Sequence, residues 1–178
     1  LYSKGSLYRI YNGNLLFHGC IPMHGDGSLM RFSLMGCDDL SGRAFLDYAD
    51  RVARRAYYNK PGSPERQQGM DFLWWLWAGR NSPIFGRDRM TTFERRFIAD
   101  EATHTEPKNA YYTLYNDPAV CEGILKEFGL EGPHCHIING HVPVKSKKGE
   151  SPVKGGGKLV VIDGGFCKAY QKTTGIAG

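Results

Sequence analysis

Three short apolar runs in this chain each break off in a glycine turn that carries a polar group. They are Leu15-Leu16-Phe17-His18-Gly19, Ile137-Ile138-Asn139-Gly140-His141 and Leu159-Val160-Val161-Ile162-Asp163-Gly164. Apolar runs of this length, bounded by turn residues, read as strands. In an α/β sheet such strands place their carboxyl ends along one edge, and ligands bind there. The first run is preceded by Leu7-Tyr8-Arg9-Ile10-Tyr11 and Asn12-Gly13-Asn14. Asn-Gly supplies the positive φ of a tight turn, so a β-hairpin ending at His18 is expected.

Helical signals fill the space between the first two runs. After Ser41 as N-cap, Phe45, Leu46, Ala49, Val52, Ala53 and Ala56 follow helical spacing. Ser63-Pro64 marks a second helix start, whose buried end is expected at Phe72-Leu73-Trp74-Trp75-Leu76-Trp77, with the tryptophans anchoring a core. A basic loop from Gly79 to Arg89 follows, and a short helix restarts after Thr91-Thr92. Asp117-Pro118 opens a compact helix through Phe128 that Gly129 closes, and Lys145 to Gly157 reads as loop. The 178 residues are therefore expected to form one domain around an α/β sheet with its site at the strand ends.

The charge balance, 23 Lys+Arg against 18 Asp+Glu, favours anionic ligands without singling out nucleic acid. A stacking surface for nucleic acid would need exposed aromatics, whereas the tryptophans stand at core-like spacing, so no nucleic-acid partner is expected. No apolar run approaches the ~20 residues of a membrane span, and Leu1 to Arg9 lack a signal-peptide layout, so no membrane partner is expected either. The five scattered cysteines contain no C-x-x-C pair. They read as free thiols of a cytoplasmic protein. Walker, dinucleotide, nucleophile-elbow and H-E-x-x-H motifs are absent. The first residue is not Met and the last ones stop inside a structured-looking segment, so a piece of something longer is expected.

Taken singly, His18 and His141 read as hydrogen-bonded strand-end residues. Together, they could meet at one sheet edge and share a metal that needs further ligands from elsewhere. His134-Cys135-His136 looks like a metal clip, but His134 falls in the Gly-Pro loop and no other Cys or His stands at zinc-finger spacing. Arg80, Arg87 and Arg89, with Lys158 and Lys168, could contact phosphate or form a solvated basic face. Asp163, before two glycines, could line a ligand pocket or simply make a turn.

Several strings taken together resemble one family: Tyr11 to Pro22, Asn81 to Asp88, Ile137 to Val144 and Val161 to Phe166, along with the ending Lys172 to Gly178. The chain resembles, over nearly its whole length, the class III fructose-1,6-bisphosphatases of Firmicutes, which are similar to calcineurin-like metallophosphoesterases. The resemblance implies a two-metal centre between two β-sheets flanked by helices, with manganese the expected metal. On this pattern His18 and His141 match ligands of one ion, and Arg80, Arg87 and Asp163 are expected to bind substrate. The family's D-x-H, G-D-x-x-D-R and G-N-H motifs, which carry the other ligands and the catalytic histidine, do not occur in residues 1–178. The chain then corresponds to the C-terminal part of a metallophosphoesterase catalytic domain, and the resemblance implies an α/β fold, a partial calcineurin-like sandwich (a mixed β-sheet with flanking helices) with its early strands missing. No catalytic residue is expected within it. The intact protein would hydrolyse fructose 1,6-bisphosphate to fructose 6-phosphate and phosphate, a step of gluconeogenesis, while the fragment alone would be inactive. The alternatives are a phosphatase for another phosphoester and a non-catalytic structural or binding module. A severed sheet would expose an edge or an apolar face, so a homo-oligomer or pairing with the missing N-terminal part is expected.

Overall fold

The computed structural model describes residues 2–164, 168 and 171–175. Gly165, Phe166 and the closing Ile176-Ala177-Gly178 of the strings above, and Cys167 of the five cysteines, lie outside the described residues. Strands β1 (Tyr8–Tyr11) and β2 (Asn14–Phe17) form the expected antiparallel hairpin. Asn12 at φ 48° and Gly13 at φ 73° both take the left-handed backbone that a two-residue hairpin turn requires. β2 then pairs in parallel with β3 (His136–Asn139), and β3 in parallel with β5 (Leu159–Val161). The edge strand β4 (Val153–Lys154) lies antiparallel to β5, giving a five-stranded mixed sheet in the order β1-β2-β3-β5-β4. β4 corrects the expectation of an unbroken loop from Lys145 to Gly157; two residues are too few to show a period, and their pairing comes from β5.

Helices α1 (Gly42–Tyr58), α2 (Pro64–Ala78), α3 (Glu94–Phe97), α4 (Tyr111–Leu114) and α5 (Pro118–Glu127) fill the crossover from β2 to β3, and α6 (Gln171–Thr174) follows the sheet. The caps of α2 and α5 are as expected. Ser63 accepts from the Arg66 amide at 3.2 Å and Asp117 from the Ala119 amide at 2.9 Å, each before a first-turn proline. At α1 the Ser41 side chain makes no cap. The free amide of Arg43 donates instead to the Glu127 carboxylate at 3.1 Å, which ties the start of α1 to the end of α5.

Alternation along the strands gives the sheet two unlike faces. Leu15, Phe17, Ile137, Leu159 and Val161 are buried against Tyr111, Tyr112 and Tyr115 around α4 and against Ile124, Leu125 and Phe128 around α5. On the other face Leu16, Ile138, Val160 and Val153 stand side by side in register, half-buried or exposed. A groove runs along that face, bordered by Leu16, Ile138 and Ile162 and by Leu46, Pro83 and Ile84.

A second core joins α1 to α2 through Phe45, Ala49, Phe72 and Leu76, with the Phe32 and Phe45 rings stacked 4.3 Å apart. Only one of the three tryptophans joins it. Trp75 packs against Phe45 and Phe72, whereas Trp74 and Trp77 are 68% and 55% exposed, against the expectation that all three anchor a core. The reason is helical geometry: positions 74 and 77 share the side opposite the one that Phe72 and Leu76 turn to α1. Among the described residues no helix is long and apolar enough to cross a membrane.

Truncating Phe72, which has no exposed surface, to alanine is expected to cost about 3–5 kcal/mol. Trp74→Gln should stay within about 0.5 kcal/mol of the parent. Denaturant unfolding of the two variants checks the assignment of inner and outer helix faces.

Candidate functional site

The parallel register sets the site. Phe17, Asn139 and Val161 are direct neighbours across β2, β3 and β5. The residues that follow them, His18, Gly140-His141 and Ile162-Asp163, therefore emerge at one edge. Backbone bonds extend the pairing a step further, from the Gly140 amide to the His18 carbonyl at 3.1 Å and from the Ile162 amide to the Asn139 carbonyl at 2.8 Å. His18 and His141 meet as the spacing allowed: His18 Nε2 lies 3.1 Å from His141 Nδ1, with the rings nearly perpendicular at 81°. Asp163 borders the same corner. A Cβ on Gly140 would stand 3.4 Å from His18 Nδ1 and 4.0 Å from the Asp163 Cβ.

His141 Nε2 lies 3.0 Å from the Phe85 carbonyl. A carbonyl only accepts, so Nε2 carries the proton and Nδ1 turns its lone pair towards His18. Phe85 belongs to a turn built on Ser82, which is wholly buried. The Ser82 hydroxyl donates to the Leu76 carbonyl at the end of α2 and accepts from the Phe85 amide at 3.1 Å. The Ser82 carbonyl accepts from the Gly86 amide at 2.8 Å. This turn also meets the end of β2, since the Cys20 amide donates to the Pro83 carbonyl at 2.7 Å. Gly19 permits that approach, for a Cβ there would fall 2.0 Å from the Pro83 oxygen. The role of the turn went unseen in the sequence, where Asn81-Ser82-Pro83 signals a turn but not what the turn touches.

The arginines are already paired. Arg87 holds Glu106 at 3.3 Å, and its charge reaches His141. Arg80 and Arg89 both pair with Asp88 and are largely exposed, and no described contact joins Arg80 to the histidines. Lys158 lies at the opposite end of β5, where its ammonium donates to the Gly132 carbonyl at 3.1 Å, so it is no addition to the arginine loop. Lys168 is exposed. His134 is exposed in the turn before β3, while His136 opens that strand at the end away from His141. No clip forms there.

Two imidazole nitrogens that bind one ion at about 2.1 Å in adjacent positions stand about 3.0–3.4 Å apart. The His18–His141 separation of 3.1 Å fits that bite. The Phe85 carbonyl holds His141 in the tautomer such a ligand needs. Among the described residues no group of three or more His, Cys, Asp or Glu could hold a metal, and this edge presents two imidazole donors.

Burial, and after it the neighbouring His18, hold the His141 imidazole below its ordinary value. The unfolded chain therefore takes up a proton first as pH falls below about 6.5. This contribution to stability is intact above that pH and is lost as pH falls from there to the depressed native value. With chelator present, the denaturant midpoint should drop between pH 7.5 and pH 5, and His141→Gln should flatten that drop.

The family model for the Firmicute fructose-1,6-bisphosphatase matches residues 1–178. A fructose-1,6-bisphosphatase class 3 of Clostridium botulinum (strain Langeland) is 56% identical over 178 residues, which are all of this chain and 26% of the relative. Its counterpart from Listeria monocytogenes serotype 4b is 53% identical over the same 178 residues, 27% of that protein. The chain thus spans about a quarter of the length of the curated relatives it matches. No solved structure matches it. With every residue inside the family model and more than half of them identical in these relatives, the chain belongs to the Firmicute fructose-1,6-bisphosphatase family.

Proposed function

We propose that the whole protein carrying residues 1–178 hydrolyses fructose 1,6-bisphosphate to fructose 6-phosphate and phosphate, and that this stretch supplies His18 and His141 as ligands of a divalent ion. The observation that carries the reading is the pair of imidazole nitrogens facing one another at the ends of two parallel strands, in a chain whose relatives are named for that reaction. A divalent ion bound there, manganese in this reading, supplies Lewis-acid stabilisation of the charge that develops on the transferring phosphoryl group.

The chain's own residues do the rest of the work assigned to this part. Phe85 orients the His141 ring. Arg87, two residues on from the carbonyl that holds His141, offers a guanidinium to phosphate oxygens by exchanging its Glu106 partner. Arg80 has the exposure to swing from Asp88 towards a second phosphate. Asp163 borders the histidine corner, where its carboxylate favours a cation and can accept from a sugar hydroxyl. The remaining ligands, the second ion and the catalytic histidine come from outside these residues, in keeping with a metallophosphoesterase sandwich of which this is the C-terminal part. The half-open row of Leu16, Ile138, Val160 and Val153 supports that reading, as a face for the rest of the protein or a second copy to cover. Free thiols at Cys20, Cys37, Cys121 and Cys135 support a cytoplasmic setting.

Phosphate release from fructose 1,6-bisphosphate with Mn tests the reading on the whole gene product and on residues 1–178 alone. Activity is expected only in the whole product. There, His18→Ala and His141→Ala should each lower it by more than the ~10–100-fold that loss of an outer-shell partner costs. Full activity in either variant would exclude the pair as ligands.

A further inference from the structure

The end of β3 carries a side chain that the proposed function does not use. Asn139 is 1% exposed, on the covered face of the sheet. Its amide nitrogen donates to two successive carbonyls of another strand end, His18 at 3.1 Å and Gly19 at 2.6 Å. Two carbonyls in reach fix which way the amide points, because its oxygen would be repelled there. The Asn139 Oδ1 that is left over is buried with no partner among the described residues. A buried unpaired oxygen costs about 1–3 kcal/mol, a cost that an apolar residue would not carry. Hydrophobic packing does not account for an asparagine here.

The bonds it makes account for it. The His18 carbonyl receives both the Gly140 amide and the Asn139 side chain. The same asparagine is joined through its backbone to Gly140 and so to His141. One side chain thereby fastens the peptide that carries the first histidine to the turn that carries the second. We infer that Asn139 is a positioning residue that sets the separation of His18 and His141 and so the affinity of the pair for a divalent ion. The inference rests on the metal reading above and adds to it the device that holds the ligand bite.

The test uses the whole gene product as wild type, Asn139→Leu, Asn139→Ser and His18→Ala/His141→Ala. Mn(II) affinity is measured by the paramagnetic resonance of the free ion, the ligand field by the visible spectrum of the Co(II) form, and stability by thermal unfolding. Asn139→Leu removes both donated bonds and the unpaired oxygen together. Because the Gly19 carbonyl loses its donor as the unpaired oxygen disappears, the two costs offset and the variant is expected to melt near the wild-type temperature, to bind Mn(II) at least ~10-fold more weakly and to shift the Co(II) bands. Serine keeps one donor on a shorter arm, so its loss should be smaller than that of leucine. Should the leucine variant not fold, the serine variant decides: weaker binding at an unchanged melting temperature supports the inference. Wild-type affinity and an unchanged Co(II) spectrum in a folded Asn139 variant overturn it, as does an affinity loss that only follows a fall in melting temperature. If wild type binds no more Mn(II) than the double-histidine variant, the metal reading itself falls and this inference falls with it.

Discussion

The parallel pairing of β2, β3 and β5 is the constraint on which everything else rests. It brings His18 and His141, more than 120 positions apart in the chain, to the same level of one sheet edge, with Asp163 beside them. Side chains alternate along a strand, so a slip of one residue in β3 would turn Asn139 to the open face and carry His141 away from its partner. The register is well specified because the covered face sets Leu15 beside Ile137 and Ile137 beside Leu159, with Phe17 and Val161 on either side of Asn139. Burial of that face against the tyrosines of α4 and the apolar side of α5 therefore fixes geometry at the polar edge, several residues from the core that drives it.

The second core acts on the same edge from the other side. Phe72 and Leu76 lock α2 to α1, and the carbonyl of Leu76 at the end of α2 receives the Ser82 hydroxyl. Ser82 shapes the turn whose Phe85 carbonyl holds the His141 ring. A chain of contacts thus runs from a helix pair to one imidazole nitrogen. His141 itself adopts φ 68°, a backbone that non-glycine residues rarely occupy, and it is held there by its two ring contacts.

The hairpin, the two long helices, the Asp117-Pro118 start and the strand-end histidines were legible because each leaves a local mark: Asn-Gly, Ser-Pro, Asp-Pro, Gly-His. What stayed hidden depends on partners distant in sequence. The Glu127 carboxylate that serves α1 lies 84 positions from Arg43. β4 exists only as a partner of β5. The tryptophans misled because an unbroken apolar run on a helix does not say which of its sides meets a neighbour. Asn139 stands in the sequence only as a polar residue in an apolar run that leads into Gly140-His141; nothing nearby marks the two carbonyls, about 120 positions upstream, that it binds. The arginines near the site were visible as charge, but their pairing with Glu106 and Asp88 was not.

The state of the histidine pair in the chain by itself bears on how an ion would enter. With His141 Nε2–H committed to the Phe85 carbonyl, the contact between the rings is a bond in which His18 Nε2–H donates to His141 Nδ1. If His18 Nε2 and His141 Nδ1 held an ion, they would give up that bond, and His18 would then carry its proton on Nδ1. Gly140 leaves that side free of a side chain, for a Cβ would stand 3.4 Å from His18 Nδ1. Gly140, next to the second histidine, therefore serves the first, leaving room for the proton to change places on the ring. Preorganisation at this edge is consequently unequal. His141 is already in the tautomer that a metal ligand would need, whereas His18 would have to change its own, which would make the peptide that carries His18, fastened by Asn139 and Gly140, the part whose fixed position matters most to such a bite.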